Sequence, residues 1–282
     1  MGRELIVILG PTAVGKTDYA VSLAKKYGTV VVSCDSRQIY REMRIGTAPP
    51  SPEQLAAVRH YFIFSHSVKQ RYSAGQYEIE AMQLLEKLFE KHDTIIMAGG
   101  SGLYADALCY GLDDFPPADT ELREILTRRA MEEGVAALAE ELGKIDPESY
   151  ASIDLSNRQR VIRALEVTMS TGRKFSSFKS APRKKRPFAI KRTALSIPRE
   201  ELYSRINSRV ERMFENGLAE EAESLLEYRN LPALNTVGYR EVFSYLDGKI
   251  SLDEAVELVK RNTRRFAKRQ ITYFAGIPQL QL

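Results

Sequence analysis

An unbroken apolar run, Leu5-Ile6-Val7-Ile8-Leu9, stands near the start of the chain and runs straight into Gly10 and Pro11. Five apolar residues without a polar break predict a strand buried on both faces, as in a parallel sheet. The β-branched runs Thr29–Ser33 and Thr94–Ala98 predict two more such strands. His60–Val68 is apolar enough for another, and Phe188–Ile197 predicts a last strand despite Lys191 and Arg192. Between these runs the apolar positions recur at helical spacing. Asp18–Tyr27 is closed by Gly28, Pro52–Val58 follows a Pro-rich loop, and Ser73–His92 carries Tyr77, Met82, Leu85, Leu88 and Phe89. Glu200–Asn216 carries Leu202, Ile206, Val210, Met213 and Phe214, and Leu218–Tyr228, Thr236–Leu246 and Leu252–Ala275 complete the chain as helices. Strands alternating with helices predict an α/β fold, a parallel sheet core flanked by helices.

The pattern changes at Asp113. Phe115-Pro116-Pro117-Ala118-Asp119 reads as a linker, Thr120–Leu142 and Ser156–Ser170 as helices, and Asp146-Pro147 as a break. No strand pattern occurs here. Residues 113–187 are therefore expected to form an all-helical insertion, with 1–112 and 188–282 making the core. The basic stretch Ser176–Pro187 is expected to be mobile.

Composition adds limits. The 282 residues suffice for one large or two modest domains, and 44 % apolar with 28 % charged residues is ordinary for a soluble globular protein. No apolar run approaches the ~20 residues that span a bilayer, and the N-terminus lacks a signal-peptide pattern. A cytoplasmic protein without a membrane partner, and a monomer, is expected. Cys34 and Cys109 are too isolated to suggest a disulfide framework or a zinc site, and His60 and His66 are read as structural residues. The formal charge of +4 conceals a strong asymmetry: from Ser156 to Arg192, twelve Lys/Arg face Glu166 alone. Lys260, Arg261, Arg264, Arg265, Lys268 and Arg269 form a second block. Solvated surface charge would explain one such run, but two suggest a polyanionic partner. Phe266, Tyr273 and Phe274, interleaved with the second block, are read as core residues.

The chemistry concentrates after the first strand. Gly10-Pro11-Thr12-Ala13-Val14-Gly15-Lys16-Thr17 fits G-x-x-x-x-G-K-[ST], the P-loop pattern shared by nucleotide- and ATP-binding enzymes. Its glycines let successive N–H groups converge on an anion, Lys16 adds a charge, and Thr17 can ligate Mg2+. A di- or triphosphate is the expected ligand. Asp35 follows the second strand by one residue and would face the same crevice as a general base or metal partner; the plainer alternative is that it only caps the next turn. At the end of the Thr94–Ala98 strand, where a P-loop hydrolase would carry its Mg2+-binding acid, stand Gly99-Gly100-Ser101. A backbone so close to the crevice suits contact with a diphosphate or a flat base, and argues against a triphosphatase. Arg205 and Arg209 stand one turn apart, on a stripe that could point into an anionic site.

Six stretches together resemble the tRNA dimethylallyltransferases (tRNA isopentenyltransferases): the P-loop; Asp35-Ser36-Arg37-Gln38-Ile39-Tyr40; Ile45-Gly46-Thr47-Ala48; Gly99-Gly100-Ser101-Gly102-Leu103-Tyr104; Asn157 to Val167; and Thr263 to Phe274. They fall in the family's order and span almost the whole chain. The resemblance, to the bacterial type without the zinc-finger extension of eukaryotic relatives, implies transfer of a dimethylallyl group from dimethylallyl diphosphate to N6 of the adenosine just 3′ of the tRNA anticodon. It implies that the P-loop holds the diphosphate with Mg2+ on Thr17, that Asp35 accepts the amine proton, and that Arg209 and Ser101 assist. Asp35, Ser36, Arg37, Gln38, Ser101, Arg123, Gln159, Arg160, Val161, Ile162 and Arg163 match the family's tRNA-contacting positions. Ser101 replaces a more usual threonine, Arg158 an aspartate and Tyr273 a tryptophan. Prenylation of free AMP, ADP or ATP, and a P-loop small-molecule kinase, are the rival activities; a non-catalytic RNA-binding protein is the rival from another class.

Overall fold

The computed structural model describes residues 2–113, 115–179 and 183–282. These divide into two compact units, one of 1–110 with 185–282 and the other of 111–184. The division expected from the sequence pattern lies at 112/113 and 187/188.

In the larger unit, strands β1 (Glu4–Leu9), β2 (Val31–Ser33), β3 (His60–Tyr61), β4 (Thr94–Ala98), β5 (Ala189–Ser196) and β6 (Gln279–Gln281) form one sheet in the order β3-β2-β4-β1-β5-β6. Every pairing is parallel. Leu5, Val7, Ile8 and Leu9 are at most 1 % exposed, which is why β1 reads as an unbroken apolar run. Helices α1 (Lys16–Tyr27), α2 (Pro52–Ala57), α3 (Ala74–Leu88) and α4 (Gly102–Tyr110) belong to the N-terminal half of this unit. In the smaller unit, α5 (Thr120–Glu132), α6 (Val135–Ile145), α7 (Pro147–Ser152) and α8 (Arg158–Thr171) surround Leu126, Leu138, Leu142, Val161, Ile162 and Leu165. The chain then returns to the larger unit with α9 (Arg199–Glu215), α10 (Leu218–Ser224), α11 (Tyr239–Leu246) and α12 (Leu252–Phe274).

Several expectations need correction. The strand foreseen over His60–Val68 is two residues long. Phe62 and Phe64 take positive φ values of 60° and 53°, which a strand cannot contain, and the apolar side chains belong to a loop. The single helix foreseen over Thr120–Leu142 is two, broken at Gly134 with φ 87°. Helix α4, which follows directly on Gly99-Gly100-Ser101, and α7 and β6 were not foreseen from the sequence. The stretch expected to be mobile begins inside a 3-10 turn over Phe175–Phe178, while residues 180–182 lie outside the described residues.

The smaller unit is organised by a buried carboxylate. Asp146, fully buried, accepts hydrogen bonds from Ser149 N and Oγ at 3.2 and 2.5 Å and from Ser176 N and Oγ at 2.8 Å each. It caps α7 and ties the 3-10 turn to it. Asp146→Ala strands these donors without a buried acceptor and should cost about 2–4 kcal/mol of unfolding free energy. The check is a lowered urea midpoint; an unchanged midpoint would show the network to be dispensable.

Candidate active site

The phosphate loop is folded as its sequence requires. Gly10 has φ 144° and Gly15 φ 103°, and a Cβ on Gly10 would lie 2.8 Å from the Leu195 carbonyl oxygen of β5. Ala13 is held at φ 66°, a conformation costing an alanine roughly 1–2 kcal/mol, so the rest of the loop holds it there. The loop opens α1 and lines a cavity of about 710 Å³. Thr12, Lys16, Thr17, Asp35, Ser36, Arg37, Gln38, Ser101 and Arg209 all face this one cavity, so residues almost two hundred positions apart in the chain share a single site.

Lys16 Nζ donates to the Pro11 carbonyl at 2.7 Å. Burial, with a smaller contribution from the nearby Arg209 guanidinium, pulls its pKa from 10.5 down to about 8. Arg209, whose own pKa is lowered by burial, reaches in from α9 and donates to Thr12 Oγ1 at 3.2 Å. Arg205 behaves differently. It pairs with Glu201 at the surface at 2.6 Å, and only its far nitrogen comes within 3.5 Å of the Val14 carbonyl. Of the two arginines on one stripe, Arg209 is the one built into the cavity.

Asp35 caps the next turn and also lines the cavity. Its Oδ1 accepts from the N–H groups of Arg37 and Gln38 at 2.9 and 3.2 Å, capping the turn after β2. No hydrogen bond from the described residues reaches Oδ2, and the residue lines the cavity. Ser101 Oγ accepts from the Ser36 N–H and donates to Ser36 Oγ, both at 2.9 Å, and so fixes the residue beside Asp35.

The glycines after β4 were expected to bring bare backbone up to a ligand. They line the cavity, and the side of each where a Cβ would stand is taken by the protein itself. A Cβ on Gly99 would lie 2.6 Å from the Cys34 carbonyl carbon, one on Gly100 2.4 Å from Gln270 Nε2, and one on Gly102 2.1 Å from the Tyr273 ring. Tyr273 and Phe266 are in turn 52 % and 40 % exposed and line the cavity, whereas Phe274 is buried. The expectation that all three are core residues is corrected for two of them, because α12 lays one flank against the site.

The matched RNA-contacting positions fare unequally. The Arg37 guanidinium donates to the Pro232 and Ala233 carbonyls at 3.0 Å, and Gln38 Nε2 to the Thr47 and Ala48 carbonyls at 3.3 and 2.9 Å. Both brace loops of the cavity wall. Arg123 and Arg163 converge on the fully buried Glu166 carboxylate, each still part-exposed. Gln159 and Arg160 are exposed. Val161 and Ile162 are 0 % and 1 % exposed in the helical core, which takes their side chains out of any RNA contact. The first basic block is also partly neutralised: besides Arg163, Arg186 pairs with Glu78, Lys191 with Glu4 and Arg192 with Asp106. In the second block Lys260 meets Glu211 and Glu257, while Arg265, Lys268 and Arg269 are exposed.

Sequence reasoning missed Glu221. Its carboxylate accepts from the N–H groups of Arg44, Ile45 and Gly46 and from Tyr239 Oη, anchoring the Ile45–Ala48 loop over the cavity. The Tyr239 ring would lie 2.6 Å from a Cβ at position 46, so Gly46 was the one visible trace of this contact.

Among the described residues no cluster of three His, Cys, Asp or Glu side chains could hold a metal ion, and no helix is long and apolar enough to cross a membrane. A sequence profile of the IPP transferases matches residues 38–276. The chain belongs to that family. It is 50 % identical to the tRNA dimethylallyltransferase of Cytophaga hutchinsonii, over 98 % of this chain and 90 % of the relative. It is 47 % identical to tRNA dimethylallyltransferase 1 of Bacteroides thetaiotaomicron, over 96 % and 88 %. Among solved structures, the tRNA isopentenylpyrophosphate transferase of Bacillus halodurans superposes with a TM-score of 0.72 at 36 % identity, covering 99 % of this chain and 90 % of that one. A eukaryotic dimethylallyltransferase acting on tRNA superposes with a TM-score of 0.80 at 25 % identity, covering 99 % and 74 %. Membership of this family makes the protein a transferase that modifies tRNA.

The lowered pKa of Lys16 has a direct consequence. Below about pH 8 it is protonated and attracts an anion; above, it is neutral, and binding a diphosphate then requires proton uptake. Affinity of the cavity for a diphosphate such as inorganic pyrophosphate should fall as pH rises through 8, by up to about tenfold per unit. Calorimetric titrations from about pH 6.5 to about pH 9.5 should show this fall in the wild type and lose it in Lys16→Met, whose curve reports the ligand's own titration. Parallel curves for the two proteins would remove Lys16 from the binding.

Proposed function

We propose that the protein transfers the dimethylallyl group of dimethylallyl diphosphate to the exocyclic N6 amine of the adenosine immediately 3′ of the anticodon in tRNA. The observation that carries this reading is the joint lining of one cavity by a phosphate loop and by Asp35 with Ser101, with Gly99-Gly100-Ser101 at the end of β4 where a P-loop hydrolase carries its Mg2+-binding acid. A cradle for a leaving diphosphate thus faces a carboxylate suited to a nucleophilic amine.

In the reaction, the N6 lone pair forms a bond to C1 of the dimethylallyl group while the C1–O bond breaks and its electrons leave with the diphosphate. Positive charge develops on the allylic carbons and negative charge on the leaving group. Lys16, the loop N–H groups and Arg209 are arranged to stabilise that negative charge, each such contact being worth a few kcal/mol when preorganised. An exocyclic amine is a weak base and loses its proton only as the C–N bond forms; Asp35 Oδ2 accepts it at that stage. The Ser101 hydroxyl fixes Ser36 and with it the orientation of Asp35. Thr17, beside the diphosphate cradle, offers an oxygen ligand of the kind Mg2+ takes alongside phosphate oxygens. When bound there, Mg2+ would supply further charge neutralisation at the leaving group. The adenine must leave its stack to reach the cavity, and the exposed Leu103, Phe266 and Tyr273 at its rim present apolar faces for the allyl tail or the base.

RNA is held, on this reading, by the exposed Gln159 and Arg160, by the part-exposed Arg123 and Arg163, and by Arg265, Lys268 and Arg269. The protein acts as a cytoplasmic monomer.

The deciding experiment offers isotopically labelled dimethylallyl diphosphate with Mg2+ to the purified protein. The acceptors are an unmodified anticodon stem-loop and, separately, AMP and ATP. Label should enter the RNA and vanish when the target adenosine is guanosine; label in the mononucleotide alone would move the function to adenylate prenylation. Asp35→Asn keeps an oxygen for the turn cap but removes the charge. It should lower kcat by about 10²–10⁴ and leave RNA affinity within about threefold. Equal loss of rate and affinity would sink the proton-acceptor role. RNA affinity should fall steeply with salt, the slope of log K against log salt counting the phosphates engaged; a flat slope would take the basic residues out of the interface.

A further inference from the structure

Gln270 lies on the inner flank of α12, at the end of an Ala-Lys-Arg-Gln run, and is only 6 % exposed. A long polar side chain is buried this far only where both ends of its amide are satisfied. Here the two ends go to two different loops of the site. Oε1 accepts from the Thr12 N–H of the phosphate loop at 2.9 Å, and Nε2 donates to the Gly100 carbonyl at 2.9 Å. A Cβ at position 100 would lie 2.4 Å from Nε2, so Gly100 is the residue that admits the contact.

Each end continues into groups already assigned a role. Thr12 Oγ1 accepts from Arg209 on the diphosphate side. Gly100 precedes Ser101, whose hydroxyl holds Ser36 beside Asp35 on the amine side. One amide therefore joins the half of the cavity that receives the leaving group to the half that receives the nucleophile. Parallel pairing aligns the strands beneath, the Gly99 N–H donating to the Ile8 carbonyl at 3.1 Å, but Thr12 and Gly100 lie beyond the ends of β1 and β4. Their spacing is set from outside the sheet.

We propose that Gln270 is a positioning residue for the prenyl transfer, holding the phosphate loop at a fixed distance from the Ser101–Asp35 loops through Thr12 and Gly100. This rests on the transfer reaction proposed above. Bond formation between two separately held reactants is sensitive to their spacing, a shift of about 1 Å costing as much as about 10²-fold in rate. The amide is chemically specific for the task, since one end must accept and the other donate. Methionine matches its length and can do neither. A glutamate can do both when protonated, but when ionised it sets a lone pair against the Gly100 carbonyl oxygen.

The test compares single-turnover transfer from labelled dimethylallyl diphosphate to the anticodon stem-loop by wild type, Gln270→Met and Gln270→Glu. Gln270→Met should slow transfer about 10- to 100-fold with KM for the diphosphate and Kd for the RNA within about threefold. The rate of Gln270→Glu relative to wild type should climb as pH is lowered and its carboxyl takes up a proton, while the Gln270→Met ratio stays flat with pH. A wild-type rate in Gln270→Met would overturn the proposal. So would a parallel fall of rate, both affinities and thermal midpoint without recovery of Gln270→Glu at low pH, which would mark a packing role. If the wild type itself puts no label into the RNA, the transfer reading fails first and the positioning role with it; an active wild type with indifferent variants sinks the positioning role alone.

Discussion

Parallel pairing of β4 between β1 and β2 lays the carboxyl ends of three strands side by side, and the rest of the site depends on how crowded that meeting is. The Cys34 N–H donates to the Ala98 carbonyl and the Gly99 N–H to the Ile8 carbonyl, so the chain leaving each strand starts within a hydrogen bond of its neighbour. A side chain at 99 would collide with the backbone of Cys34. The same crowding that demands glycine there removes the acid that a phosphate-hydrolysing relative of this sheet would carry. The cavity is lined jointly by the G-x-x-x-x-G-K-T loop and by Asp35 and Ser101.

Charge is redistributed by folding in a way that a linear count hides. The block from Ser156 to Arg192 is almost wholly basic in sequence, yet Glu166, Glu78, Glu4 and Asp106 each take up one of its cations. Three of these acids come from distant parts of the chain. What is left for a polyanion is a smaller set of exposed residues. Glu166 also shows how a carboxylate in a basic surface can favour anion binding. A fully buried acid with two part-exposed arginines fixes their guanidinium groups without cancelling both charges.

The local order strand, glycine loop, helix was fully legible, because each part rests on contacts within a few residues: apolar continuity in β1, backbone freedom at Gly10 and Gly15, helical spacing after Lys16. The larger strands were legible for the same reason, and so was the absence of strand pattern from Asp113 to Pro187. Legibility failed where a local pattern was overruled. The apolar residues after Tyr61 are not a strand, since positive φ values turn the chain there. Gly134 breaks what periodicity joined.

By itself the sequence determined the chemistry on offer: an anion cradle, an acid one step beyond the second strand, a glycine run without an acid, and cations in excess at two places. Only the tertiary structure decided which of these face one another. Arg209 enters the cavity and Arg205 does not. Tyr273 and Phe266 leave the core for the cavity wall, and Val161 and Ile162 leave the candidate RNA surface for a core. Gln270 meets Thr12 across 258 positions. Such contacts have no local signature, because a glutamine on a helix flank looks the same whether it faces water or spans two loops. The glycines at 46, 99, 100 and 102 are their imprint on the sequence, readable only once the atoms that press against them are known.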